Sequence, residues 1–344
     1  MVDPIPSSTA RATMRDVAAL AGVGFKTVSR VVNHEPGVSP DTRRRVERAV
    51  IELDYRHNLA ASNLRRGSKR TGMIGALVQD VSNNYSATLL RAIEDAADER
   101  GAAVLAASLD EQVERERDRV HALVGRRVDG LVLMPAARHH EYLLSERRAG
   151  MPMVFVDRHP HGIDVDSVTV DNRAGAEAGV AHMLARGHRR IALLADLVRI
   201  ETAELRVRGY REAVIGAGLT LDPALMRTDL HDVAASAEAM RDLLDLPDPP
   251  TAVFATRNVT AIGALQVIRE RGLQGSLALV GFDDFPMADL TDPPLTVIEQ
   301  DIRTIGTQAA SQLWARLDGD SSPAVHTVVP YRLIQRGSGE ISPP

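Results

Sequence analysis

Phe25, Lys26, Ser29 and Arg30 sit at adjacent and one-turn spacings within TMRDVAALAGVGFKTVSRVVN, Thr13 to Asn33. At helical periodicity they share one side of a helix, while Val28, Val31 and Val32 share the other. Lysine and arginine on such a face can donate to O6 and N7 of guanine, whereas Phe25 can only touch a thymine methyl or pack. The chemistry on offer is non-covalent reading of a nucleic-acid groove.

Such a face needs rigid support. Val17, Leu20 and Ala21 give a first helix an apolar side, and Gly22-Val23-Gly24 supplies a tight turn into the second. A third helical pattern runs from Pro40 to Leu53. Thr13 ahead of Met14-Arg15-Asp16 predicts a capping box, and Ser39-Pro40 an N-cap followed by a first-turn proline. Three helices of this size, with a glycine turn between the first two, read as a helix-turn-helix whose second helix enters a DNA groove.

The charge distribution agrees. The net charge is −5, yet residues 1–70 carry 13 Lys+Arg against 7 Asp+Glu, and the remainder 28 against 39. A basic head on an acidic body suits a module that meets phosphate while the body avoids it. At 344 residues, two or three domains are expected. The chain has no cysteine, no apolar leader and no run long enough to span a membrane, so a cytoplasmic protein is expected. Phosphate-binding glycine loops, nucleophile elbows and zinc-protease motifs are all missing, which argues against an enzyme. His139-His140 and His159-Pro160-His161 fall in expected loops without matching ligands nearby. Neither a metal nor a cofactor is predicted.

From Met73 onward apolar strands alternate with amphipathic helices. Strands are expected at 73–80, 102–108, 128–135, 152–157, 167–171, 190–196, 225–230, 251–256 and 277–282. The intervening helices are expected at 86–100, 111–126, 139–149, 173–186, 203–217, 232–244 and 259–271. This rhythm predicts doubly wound parallel sheets in two α/β lobes, behind the small all-α head. Ligands of such sheets bind beyond the carboxyl ends of the strands. That singles out Gln79, Asp80, Asp157, Arg158, Thr256, Arg257, Asn258 and Asp283.

With these residues in view, the chain resembles the lactose/galactose repressor (LacI-type) family of bacterial transcription regulators. The likeness runs from Thr13 to about Arg336. T-x-x-D-V-A-x-x-A-G-V-x-x-x-T-V-S-R-V-x-N at Thr13–Asn33 carries it most specifically. Val38–Val46, Leu53–Asn58, Asp171–Ala176, Gly187–Ala192, Arg206–Tyr210, Gly281–Asp284 and Pro293–Asp301 continue it in order. The resemblance implies a dimeric repressor that binds palindromic operator DNA, with a two-lobed core like a periplasmic binding protein. A small effector, a sugar or related metabolite, would sit between the lobes.

The implied divisions are a disordered leader at 1–10, a DNA-binding domain at 11–56, and a hinge helix and linker at 57–71. The first core lobe would comprise 72–167 and 301–329, the second 168–300 and 330–344. Thr13, Phe25, Lys26, Thr27, Ser29, Arg30, Asn33 and His57 would contact DNA. Asn58, Ala61 and Leu64 would do so from the hinge, with Leu64 wedged into a minor-groove step. Asp80, Tyr85, Asp157, Arg158, Arg206, Asn258 and Asp283 would hold the effector. Three departures stand out: Gly24 where serine is usual, His57 where proline is usual, and a shortened loop before Leu277. The rival reading, a solute-binding protein of an uptake system, fits the body but not the basic head.

Overall fold

The computed structural model describes residues 12–33, 35–55 and 70–344, in two compact units that divide after Thr71. The expected leader at 1–10 and the hinge residues His57, Asn58, Ala61 and Leu64 lie outside the described residues.

The first unit is a three-helix head: α1 (Met14–Ala21), α2 (Phe25–Val32) and α3 (Pro40–Glu52). Gly22 closes α1 in the left-handed region (φ 62°), where a side chain would be strained. Ser39 caps α3 through its hydroxyl to the Thr42 amide, with Pro40 following. The core comprises Met14, Val17, Ala21, Val28, Val31, Val46 and Ala49. Leu20 departs from expectation. It is 46% exposed, because Met14, Val17 and Ala21 define the inward stripe and Leu20 lies to one side of it.

The second unit holds two six-stranded sheets among the described residues. The first is built from β1 (Met73–Val78), β2 (Ala103–Ser108), β3 (Gly130–Leu133), β4 (Met153–Val156), β5 (Asp166–Val170) and β11 (His326–Val329). The second takes β6 (Ile191–Leu194), β7 (Met226–Arg227), β8 (Ala252–Ala255), β9 (Ala278–Phe282), β10 (Thr296–Gln300) and β12 (Tyr331–Ile334). Their orders, β11-β5-β4-β3-β1-β2 and β12-β10-β9-β8-β6-β7, are the same path traced twice. All pairings are parallel except β10 with β12. Near-continuous apolar strands such as Phe155 in β4 and Phe254 in β8 are fully buried, as a sheet covered on both faces requires.

The crossover helices are α4 (Asn84–Asp98), α5 (Val113–Gly125), α6 (Leu144–Arg148), α7 (Asn172–Ala185), α8 (Glu201–Gly216), α9 (Val233–Leu244), α10 (Asn258–Glu270) and α11 (Ile302–Leu317). Two expectations were too generous. The strand at 225–230 shrinks to Met226–Arg227, bracketed by the turn at Asp222–Leu225 and by Asp229 at φ 62°. The helix at 139–149 splits into a 3-10 turn, Glu141–Leu143, and the short α6.

Chain crossings between the sheets fix the cleft. The first follows β5, which runs to Val170 in the first sheet, where the sequence placed the change at 167/168. Val168 and Val170 are buried in the first lobe and held by β11, which accounts for the longer strand. Two further crossings lie between Gln300 and Ile302 and between Val329 and Tyr331. α11 thereby packs on α4, with Ile305, Ala309 and Leu313 in the first lobe's core.

Candidate DNA-reading face and effector cleft

In the head, packing decides which side of α2 remains available. Val28 and Val31 are buried, leaving Lys26 and Arg30 exposed opposite them and Phe25 44% exposed. A large aromatic side chain left in water at a helix start is not core filling, and Lys26 follows it directly in the helix. Thr27 and Ser29 are half-buried, and Asn33 donates to the Ser29 hydroxyl at 3.2 Å. Thr13 is exposed but committed: its amide and hydroxyl donate to Asp16 at 2.8 and 2.7 Å, and its hydroxyl accepts from the Asp16 amide. The side-chain bond from Thr13 holds the Asp16 carboxyl below its usual range. A Thr13→Ala variant is therefore expected to destabilise the head by about 1 kcal/mol, measurable as a lower urea midpoint.

In the core, both fourth strands end on an aspartate with left-handed backbone. Asp157 follows β4 and Asp283 follows β9, each at φ 71°. Asp tolerates this region better than most residues, and the turn aims each carboxyl into the cleft. α8 brings Arg206 to meet Asp283. It can do so because Gly209, one turn on, lets α8 lie against α7; a Cβ there would stand 2.2 Å from the Arg173 carbonyl oxygen.

Arg206 is buried and held through Nε and Nη1. Its Nε donates to Asn172 Oδ1 at 2.8 Å, and its Nη1 to the Thr256 carbonyl at 2.7 Å. Nη1 also lies 3.4 Å from Asp283 Oδ2, and the guanidinium stacks 3.8 Å above the Phe282 ring centre. Gln300 donates to the other Asp283 oxygen at 2.5 Å. Across the cleft, Arg158 grips Glu111 bidentately, at 2.8 and 2.6 Å, and donates to the Pro135 carbonyl. Burial works against the Arg158 charge, but Glu111 beside it holds the guanidinium above its usual range. Arg257 pairs with Asp196 at 2.6 Å.

Asp157 is left the poorest in partners. Its carboxyl meets Arg158 Nε at 3.3 Å, while the terminal guanidinium nitrogens are spent elsewhere. Burial raises its pKa, against the pull of Arg158 and Arg206. Tyr85, at the start of α4, is buried, and burial together with Asp157 and Asp283 pushes its phenol well above the ordinary range. Among the described residues, the Thr256 hydroxyl has no hydrogen-bond partner, and the Tyr85 hydroxyl has none beyond the Asp157 carboxyl beside it. Buried polar atoms without partners in a cleft point to a ligand that completes them.

Of the expected cleft residues, Tyr85, Asp157, Arg158, Arg206, Asn258 and Asp283 line one cavity. Asp80 does not. Its carboxylate takes the Ser82 amide and hydroxyl at 2.8 and 2.9 Å and so closes its own turn, while Gln79 faces the cavity instead. Arg257, expected at a strand end, lines the cavity too, and so do Glu111, Asp196 and Gln300, which the sequence did not single out; Asn172, also not singled out, holds Arg206 from behind. Asn172 and Gln300 lie inside motifs already noted, D-N-x-x-G-A and I-x-Q-D. Glu111 occupies a left-handed loop position (φ 56°) that no local pattern announces. Among the described residues no group of three or more His, Cys, Asp or Glu side chains is placed to hold a metal ion.

A groove-reading head joined in one chain to a two-lobed core with a polar cleft defines a ligand-responsive DNA-binding regulator. Residues 13–58 match the bacterial regulatory proteins of the lacI family, and residues 180–339 a periplasmic binding protein-like domain. The HTH-type transcriptional repressor CytR of Escherichia coli (strain K12) is 31% identical over 334 residues, 96% of this chain and 97% of that protein. The HTH-type transcriptional regulator CelR of Thermobifida fusca is 34% identical, over 96% of this chain and 98% of its own length. Among solved structures, the lac repressor dimer bound to operator and the anti-inducer ONPF superposes with a TM-score of 0.83 at 29% identity, covering 96% of this chain and 99% of that one.

The chain belongs to the LacI family of bacterial transcription regulators. It is a sequence-specific DNA-binding regulator of the repressor type, controlled by a small-molecule effector, and not an enzyme.

Proposed function

We propose that this repressor works as a homodimer on palindromic operator DNA and answers to a neutral, polyhydroxylated effector held between its core lobes. Phe25, Lys26 and Arg30 read bases, while Thr27, Ser29 and Asn33 position the head on phosphates. Residues 57–71 form the hinge, with Leu64 as its wedge and His57, Asn58 and Ala61 beside the backbone. The core lobes divide as 72–170 with 301–329, and 171–300 with 330–344.

The cleft's charge balance carries the effector reading. Four carboxylates (Glu111, Asp157, Asp196, Asp283) face three arginines (Arg158, Arg206, Arg257), a balance of −1. Each arginine is already matched by a carboxylate, at 2.6, 3.4 and 2.6 Å. That leaves the Thr256 hydroxyl, and the Asp157 carboxyl with the Tyr85 hydroxyl beside it, to meet hydroxyl groups of a ligand. A phosphate or carboxylate would enter at low dielectric with every cavity arginine already paired to a carboxylate. The cavity measures about 40 Å³ with the lobes as they stand, room for a few waters, so a sugar-sized effector requires them to part. The complex of CelR with cellobiose, TM-score 0.69 at 33% identity, is an example of such a ligand in a relative.

A thermal-shift panel of neutral sugars and nucleosides with their phosphorylated counterparts tests this. Neutral compounds are expected to stabilise the protein by roughly 2.7 kcal/mol at a hundred times Kd, and their phosphates not at all. Stabilisation by phosphorylated members alone overturns the effector class.

A further inference from the structure

Outside the effector cavity, the two core lobes meet at a second cluster. The loop between β4 and β5 belongs to the first lobe, and Glu201, the first residue of α8, to the second. One Glu201 oxygen accepts the His159 amide at 2.8 Å; the other lies 3.0 Å from His159 Nδ1 and 3.2 Å from His161 Nε2. One carboxylate from one lobe thus takes three contacts from the other. The loop offering them is anchored: His140, buried and edge-on to Phe155, stands 3.2 Å from the His161 amide. We propose that His159, His161 and Glu201 form a proton-dependent latch, so that acidification favours the closed arrangement of the lobes. The latch rests on the effector reading only in assuming that the lobes can part.

The surrounding charges are accounted for. From the first lobe, Arg138 pairs with Glu204 and donates to the Arg199 carbonyl at 3.1 Å, and His139 lies 3.9 Å from Glu141. From the second, Arg208 lies 3.6 Å from Glu204, and Arg199 donates to the Glu111 carbonyl at 2.8 Å. Arg138 and Arg199 add lobe-to-lobe contacts beside the latch.

The sign follows from His159. Its hydrogen bond to Glu201 raises its pKa above the ordinary histidine value, against the opposing effect of burial. Closure therefore takes up a proton. The gain is complete below the ordinary histidine range and lost as pH rises through the raised value of the closed form. Burial works to raise Glu201, but its bonds from His159 and His161 hold it down at about 2, so it stays ionised throughout. Through His159 this changes the closed-to-open ratio by at most about tenfold per pH unit. The pairs are partly exposed, so salt should weaken the effect.

The chain has no cysteine, which allows a specific label pair without background. Cysteines at the exposed Ser145 in α6 and Arg211 in α8 would carry spin labels on opposite lobes of the full-length protein. Pulsed electron-spin distance measurements between about pH 6 and about pH 8 would then read closure with no effector added. The short-distance population is expected to fall several-fold as pH rises, and to become flat in H159Q/H161Q. E201Q, which removes the charge and keeps the size, should give the same flat profile if the double variant does not fold. A flat profile in the unsubstituted latch overturns the proposal, as does an unchanged slope in either variant. Failure of every tested sugar to bind would leave this readout untouched.

Discussion

Replacing Arg206 with alanine is expected to lower the stability of the core by roughly 3–5 kcal/mol, and to abolish any thermal shift by the effector. The cost is large because the carboxyl of Asp283, 6% exposed, would be left with the Gln300 amide as its side-chain hydrogen-bond partner and no arginine beside it. Asn172 and the Thr256 carbonyl would lose their donor, and Phe282 its stacked guanidinium. Loss of response in Arg206→Ala alone therefore could not separate fold from binding. R206M/D283L does separate them. Replacing a buried pair with apolar side chains of similar volume is often neutral or stabilising, so urea unfolding should recover while effector binding should not. A double variant that still binds the effector would remove this pair from the site.

The second large effect belongs to the head. Lys26→Ala is expected to lose about 1–3 kcal/mol of discrimination at one base-pair position, read from binding to a set of single-substituted operators. Thr27→Ala should instead weaken all sequences alike, because phosphate contacts orient without specifying. Lys26 is exposed at the second position of α2, beside Phe25, so its loss disturbs no core packing. Equal losses on every sequence after the Lys26 change would mean that it contacts only the backbone.

Patterns that depend on local periodicity were legible in the sequence. Val28 and Val31 against Lys26 and Arg30 located the head's outer face, and apolar runs such as Phe155 and Phe254 located buried strands. Strand ends, too, pointed to Asp157 and Asp283, because a parallel sheet presents its carboxyl edge to ligands. What escaped notice depends on partners distant in the chain. Asp80 is the local exception: it reads like Asp157 in sequence, yet Ser82 two residues on captures it. Glu111 became a site residue only through Arg158, 47 residues away. His159 and His161, passed over as loop histidines, acquire a role from Glu201, about 40 residues later. Leu20 shows the same limit on a small scale: its spacing suited the core, but Met14 took the place.

The most direct test of the account is selection of duplexes from a random DNA pool by the full-length protein, repeated with the effector identified by thermal shift. One enriched palindrome with fixed half-site spacing is expected, bound by a dimer in sedimentation, with an affinity that changes when the effector is present. Enrichment of no sequence, or binding that depends on salt alone and ignores the effector, would contradict it.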